Sequence, residues 1–210
     1  MITALTLLVS AQTLSLNPTD DVWVYKFAAD QTSDPFLRCW GTNSKSVADP
    51  DAGEAGSWSV MKFDISKLPT SKLTAATLDL YFVPNPNIDE ALGKKYPIEV
   101  RSVSSKFEEE NFSLDQAASI KPTLDSLIAN NPVTLYSNAE GSSKVTINLL
   151  AKKDSFEKAL AEARKSQSKE LAFALTSALT PDEAGESLIY KFYSTNSEKS
   201  TRPTLNLVFE

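Results

Sequence analysis

The chain contains no histidine, and that absence removes more function classes than any residue it does contain. Histidine is the commonest general base near neutral pH and the commonest metal ligand. Without it, Ser-His-Asp and Cys-His mechanisms are excluded. Cysteine occurs once, as Cys39. One thiol cannot close an internal disulfide or assemble a thiolate metal site, so zinc, haem and iron–sulfur chemistry have no ligand set. Cys39 reads as a small core residue and not as a nucleophile. Only six glycines are spread over 210 residues, and no glycine-rich phosphate loop is present. An excess of positive charge is also missing: the formal net charge is −6. A general nucleic-acid binder is expected to be basic, as is a binder of anionic membrane surfaces, so neither partner is expected. No apolar run is long enough to span a bilayer, so membrane insertion is not expected.

What is present suits a folded domain of ordinary composition, with 41% hydrophobic and 23% charged residues. The stretch Ala4–Ala11 (ALTLLVSA) has two readings. Residues 1–11 are either a clipped signal segment, with Val9-Ser10-Ala11 as its small-residue cleavage site, or a first strand. Residues 12–210 read as a single domain, because no repeat, linker or composition shift divides them.

Nine short runs alternate apolar and polar residues. They are Asp21–Phe27, Phe36–Trp40, Trp58–Ile65, Ala76–Val83, Pro97–Val103, Lys144–Leu149, Leu171–Thr176, Leu188–Ser194 and Thr204–Phe209. Period-two runs separated by Pro, Gly, Asn, Asp and Ser predict a mostly β fold: an antiparallel two-sheet β-sandwich of jelly-roll-like type. Asp154–Ser168 carries Phe156, Leu160 and Ala163 at helical spacing and predicts a peripheral amphipathic helix. Leu114–Ala129 predicts a second helix that Pro122 would limit or kink. Ala48–Gly56, Asp89–Tyr96 and Asn130–Ser143 read as loops.

Five segments then line up in order: VMKFDISKLP (Val60–Pro69), LTAATLDLY (Leu73–Tyr81), LAFALTS (Leu171–Ser177), KFYS (Lys191–Ser194) and RPTLNLVF (Arg202–Phe209). With Asp21-Val22-Trp23-Val24 ahead of them, they resemble the DNRLRE domain, also classed as carbohydrate-binding module family 96. The resemblance implies a jelly-roll β-sandwich, secretion to an extracellular or periplasmic location, and polysaccharide binding without catalysis. The family's mid-domain tryptophan segment is replaced here by Phe107 and Phe112 around Glu108-Glu109-Glu110-Asn111. The matched residues are chiefly core positions, so a binding site has to be read from this chain.

Strand pleating offers one candidate. If Val22 and Val24 point inward, Trp23 and Tyr25 point outward; if Leu37 and Cys39 point inward, Arg38 and Trp40 point outward. If Met61, Phe63 and Ile65 point inward, Trp58 and Lys62 point outward. All three tryptophans then share the outer phase, with a cation on two of the three strands. Flat rings cover the apolar C–H faces of sugars, and Arg or Lys neutralises carboxylates, so Trp23, Tyr25, Arg38, Trp40, Trp58 and Lys62 are the candidate face for a polysaccharide, in particular an acidic one. The plainer reading has the tryptophans covered by a loop or a helix in a second small core.

No cofactor is expected, except that calcium needs only oxygen ligands. Asp49, Asp51 and Glu54 crowd one loop, which also reads as a solvated turn, and Asp20, Asp21 and Asp64 are candidates at strand ends. Asp64 equally suits a hydrogen bond to the turn Ser66–Pro69. Three roles remain in competition: a carbohydrate-binding domain, a structural or adhesive domain that meets a protein partner, and an enzyme. The enzyme would require a cleft with paired carboxylates or a Tyr–Arg set, and nothing in the chain singles one out. Oligomeric state is not legible.

Overall fold

The computed structural model describes residues 11–25, 28, 30–42, 56–135, 143–179 and 189–210. Each of the nine alternating runs overlaps a strand, and two further strands join them among the described residues. In chain order these are β1 (Gln12–Leu16), β2 (Asp20–Val24), β3 (Phe36–Cys39), β4 (Trp58–Asp64), β5 (Leu73–Tyr81), β6 (Ile98–Val103), β7 (Leu127–Asn131), β8 (Lys144–Asn148), β9 (Glu170–Thr176), β10 (Tyr190–Tyr193) and β11 (Thr204–Phe209). Three helices accompany them: α1 (Glu90–Lys95), α2 (Leu114–Ile120) and α3 (Lys153–Lys165).

The strands form an antiparallel sandwich. One sheet has the order β1-β11-β5-β8, the other β2-β4-β9-β6-β7, and β10-β3 makes a separate two-stranded ribbon. Between the sheets lies the main core. Met61, Phe63 and Ile65 from one layer meet Ala76, Leu78, Leu80, Leu205 and Leu207 from the other, all at most 3% exposed. Each of these side chains larger than Ala76 contributes about 1.5–3 kcal/mol by leaving water. Helix α3 seals one flank of this core with Phe156, Leu160 and Ala163, the residues whose spacing predicts it.

The helix expected over Leu114–Ala129 stops at Ile120. Pro122 cannot continue it, and the chain passes through a short 3-10 turn (Leu124–Ser126) into β7. The expected loop Asp89–Tyr96 holds α1, capped by the Asp89 side chain, which accepts from Leu92 N.

The ribbon ties the two sheets together. Ser57 and Trp40 exchange backbone hydrogen bonds of 2.9 and 3.0 Å, and the Ser59 hydroxyl both accepts from Arg38 N and donates to Arg38 O. On the other side, Val83 N donates to Lys191 O at 2.9 Å, continuing β5 into β10. Gly41 follows the ribbon at φ 66°, a conformation that disfavours a side chain, and its N–H reaches Leu179 O.

Helix α1 rests on the segment after β7 with almost no clearance. Gly93 is buried, and a methyl group there would overlap the Val133 carbonyl oxygen, with Val133 C only 2.7 Å away. Both contacts are backbone atoms and cannot rotate aside. Gly93→Ala is therefore expected to lower unfolding free energy by about 1–3 kcal/mol, as overpacking does, measured by urea denaturation.

Candidate functional site

The ribbon has two unlike faces. Register pairs Tyr190 with Cys39 and Phe192 with Leu37, and all four side chains are buried in the main core. The alternate residues face away from that core: Lys191 opposite Arg38, Tyr193 opposite Phe36, and Trp40 beyond them. Of these, Phe36, Arg38, Lys191 and Tyr193 are partly exposed.

Aromatic rings from β2 complete the surface. Trp23 and Tyr25 stack with centroids 5.6 Å apart and planes 14° from parallel. Trp40 lies 6.3 Å from Trp23 and 5.2 Å from Tyr25, and Phe36 lies 5.3 Å from Tyr193. Two cations sit among the rings. The Arg38 guanidinium lies 4.4 Å from the Trp23 ring centroid, and Lys191 Nζ lies 3.8 Å from that of Phe36.

Asp34 organises this group. Its carboxylate pairs with Arg38, accepts from Trp23 Nε1 at 3.1 Å and accepts from Phe36 N at 3.0 Å. Its carbonyl accepts from Ser194 Oγ at 2.8 Å, which joins it to the end of β10. Partial burial, reinforced by the Arg38 charge, holds the Lys191 ammonium below the usual lysine pKa, and Asp34 opposes the shift. Among the described residues, no carboxylate lies within ion-pair distance of Lys191.

Of the six residues expected on one binding face, four come together: Trp23, Tyr25, Arg38 and Trp40. Two expectations about them need correcting. Trp23 and Trp40 are 8% and 7% exposed, so they underlie the surface instead of projecting from it. The phase of β2 is also reversed. Val22 and Val24 register against Val60 and Trp58, away from the main core, and Trp23 shares a face with Asp21 and Met61.

Trp58 and Lys62 lie elsewhere. They do point away from the main core, as expected, but that face of the five-stranded sheet is covered. Trp58, 2% exposed, packs with Val22, Val24, Val60, Ala172 and Ala174 beneath Phe107, Ala117 and Ile120. Lys62, 6% exposed, donates to Phe107 O at 2.6 Å and pairs with Asp20 at 3.3 Å and Glu170 at 3.7 Å. Its donors are thus engaged in holding the cover down. Lys62→Ala would strand the Phe107 carbonyl and unpair two carboxylates. A loss of about 2–3 kcal/mol is expected in thermal denaturation, with the ribbon face unaltered.

Residues that the strand-phase argument passed over are Phe36, Asp34, Lys191 and Tyr193. The signal existed: Phe36 alternates with Leu37, and Lys191 and Tyr193 alternate with Tyr190 and Phe192. Only the pairing of β3 with β10 shows that these residues share a face.

The proposed ion ligands separate in the same way. Asp49, Asp51 and Glu54 lie outside the described residues. Asp21, expected as an ion ligand, is 1% exposed, and its oxygens accept from Thr195 N at 2.9 Å and Thr195 Oγ1 at 2.8 Å. It clasps β2 to the turn after β10. Glu109 braces the clasp, accepting from Asp21 N at 3.1 Å and Asn196 Nδ2 at 2.9 Å. Asp64 accepts from Ser66 N at 2.8 Å, the turn role open to it from sequence. Among the described residues, no three metal-ligating side chains converge. Cys39 is fully buried, and desolvation pushes its thiol far up, as suits an inert core residue. No helix among the described residues is long and apolar enough to cross a membrane.

Comparison with known proteins finds no matching family model and no matching curated sequence. The likeness at Val60–Pro69 and Leu73–Tyr81 therefore rests on the motifs alone.

Burial pushes the Asp21 carboxyl up to about 7, opposed by the Thr195 hydrogen bonds. An unfolded aspartate releases its proton near pH 4, so between about pH 4 and 7 the folded chain binds more protons than the unfolded one. The stability that Asp21 contributes is complete at the acid end of this window, falls as pH rises through it, and is level above. Asp21→Asn removes this slope. Unfolding free energies measured across the window should show the variant gaining on the parent as pH rises.

Proposed function

We propose that the outward face of the β3–β10 ribbon binds an extracellular polysaccharide, preferentially an acidic one, without acting on it. The observation that carries this reading is the grouping of three partly exposed rings, Tyr25, Phe36 and Tyr193, with two cations, Arg38 and Lys191, over two buried indoles. Rings of this kind cover the C–H faces of sugar units with little loss of side-chain entropy. Arg38 is already paired with Asp34, so a uronate carboxylate would meet Lys191 first. Such a carboxylate would also favour the charged form of that amine, which burial disfavours. The chain's net charge of −6 does not oppose this, because attraction at contact range is set by the local cations. The motif resemblance to carbohydrate-binding module family 96 supports the same ligand class and placement outside the cell.

Affinity electrophoresis through alginate and pectate gels, beside gels of a neutral glucan, tests the reading. The parent chain should be retarded by the uronates. Lys191→Ala and Tyr193→Ala should each weaken retention about tenfold, or roughly 1.4 kcal/mol, with melting temperatures kept. Trp40→Ala should chiefly cost stability, because that indole is buried. Absence of retention in every gel would sink carbohydrate binding at this face and favour the alternative, a surface domain that meets a protein partner.

A further inference from the structure

Two neighbouring carboxyls under the ribbon have no cation to answer them. Asp21 is buried and Glu109 partly so, and among the described residues neither lies within ion-pair distance of a Lys or Arg. They adjoin, because Glu109 Oε2 accepts from Asp21 N at 3.1 Å. The charged groups packed around them are engaged elsewhere. Asp20 accepts from Glu109 N at 3.1 Å and pairs with Lys62 of β4 at 3.3 Å. Arg202, ahead of β11, donates to Ser197 O at 3.3 Å and acts on Asp21 only at longer range. A buried carboxylate without a counter-charge is costly, and a second one beside it raises the cost.

The same two carboxyls hold the support of the ribbon. Asp21 receives Thr195 N and Oγ1, and Glu109 receives Asn196 Nδ2, which also donates to Thr32 O at 2.7 Å. One residue earlier, Ser194 donates through N to Pro35 O at 3.0 Å and through Oγ to Asp34 O. The turn Ser194–Asn196 thus ties β2 and the cover segment to both strands of the ribbon. It continues directly from Tyr193, and it fixes Asp34, which orients Trp23 and Arg38.

We propose that this clasp is a pH-sensitive latch on the ribbon site, closed in acid and loosened in alkali, so that the site holds its polysaccharide more tightly in acid. The proposal rests on the ribbon being the binding face. In acid, Asp21 carries a proton and the buried space is spared its charge. As pH rises through about 7, Asp21 ionises beside Glu109. Opening the turn returns both carboxyls to water, where they ionise without that penalty, so opening becomes easier as protons leave. An opened turn leaves Tyr193 and Asp34 unfixed, and a ligand then has to order them.

Two measurements on the full chain between pH 5.5 and 8 test this. Amide hydrogen exchange, corrected for its intrinsic base catalysis, reads the latch with no ligand present. Protection of the Ser194, Thr195 and Phe36 amides should fall at least fivefold across the window, in step with the titration of the Asp21 carboxyl carbon. It should stay below that of β9 throughout, which marks the opening as local, and it should be level in Asp21→Asn. Affinity electrophoresis through pectate reads the coupling, since uronate carboxylates are ionised over the whole window. Retention of the parent should be at least threefold weaker at pH 8 than at pH 5.5. Asp21→Asn should lose most of that difference, and any slope it keeps belongs to Lys191 at the surface. The inference is overturned if protection is level in the parent, if it falls equally in the variant, or if parent and variant lose retention alike. Absence of retention at every pH sinks the ribbon reading itself, and the coupling falls with it.

Discussion

The structure depends on one constraint: strands β4 and β9 are apolar on both faces and must be covered twice. One side, with Met61, Phe63, Leu171, Phe173 and Leu175, meets the opposite sheet and α3. The other, with Trp58, Val60, Ala172 and Ala174, has no sheet to meet. Leaving it wet would expose an indole and a contiguous apolar strip. The segment from Phe107 to Ile120 closes it, and the small alanines of β9 allow α2 to approach closely. Lys62, on the same face, becomes the fastening, because it reaches the Phe107 carbonyl while staying paired with Asp20 and Glu170. The cover is thus a consequence of the two-sided sheet.

The ribbon follows from a different requirement. Two sheets packed face to face leave a gap at the edge where β2 ends. Strands β3 and β10 bridge it, bonded to β4 through Ser57 and Ser59 and to β5 through Val83. A bridging ribbon buries one face in the main core and leaves the other outside. Ring stacking and Asp34 hold that outer face firm, and Asp34 is itself fixed by Ser194 from the neighbouring strand. Pre-organisation of this kind would lower the entropy cost of binding a ligand there.

Much of this was legible in the sequence. Period-two alternation marks nine of the eleven strands among the described residues and the antiparallel sandwich they build, and helical spacing marks α3. Strand β1, with the short sequence QTLSL, does not stand out beside the apolar stretch just before it. Strand β7, with the sequence LIANN, was absorbed into a helix that Pro122 ends. The candidate site was half legible. Alternation shows which residues share a face, but it does not show what lies against that face. Trp58 looked outward and is outward, yet buried. The clue was β9: Ala172 and Ala174 alternate with Leu171, Phe173 and Leu175, so no polar residue interrupts the run until Thr176. A strand without a polar phase is covered on both sides, and β4 pairs with it. For β2, Val22, Trp23 and Val24 are apolar in either phase, so alternation could not orient it.

Burial of Trp23 and Trp40 changes what a recognition surface here has to be. An indole at 7–8% exposure has little ring face left to offer a ligand. Its energetic role is to support what lies over it. Trp23 carries the Arg38 guanidinium on its face and anchors Asp34 through its N–H. Trp40 packs against Tyr25, which keeps part of its ring in solvent. A ligand of the proposed kind would meet the rim, where Tyr25, Phe36 and Tyr193 are partly exposed and Lys191 has no carboxylate within ion-pair distance among the described residues. Buried tryptophans beneath support the surface, and the half-exposed rings above are what a ligand would touch. Sequence alone could not make that division, because both kinds of ring occupy the same phase of the pleat.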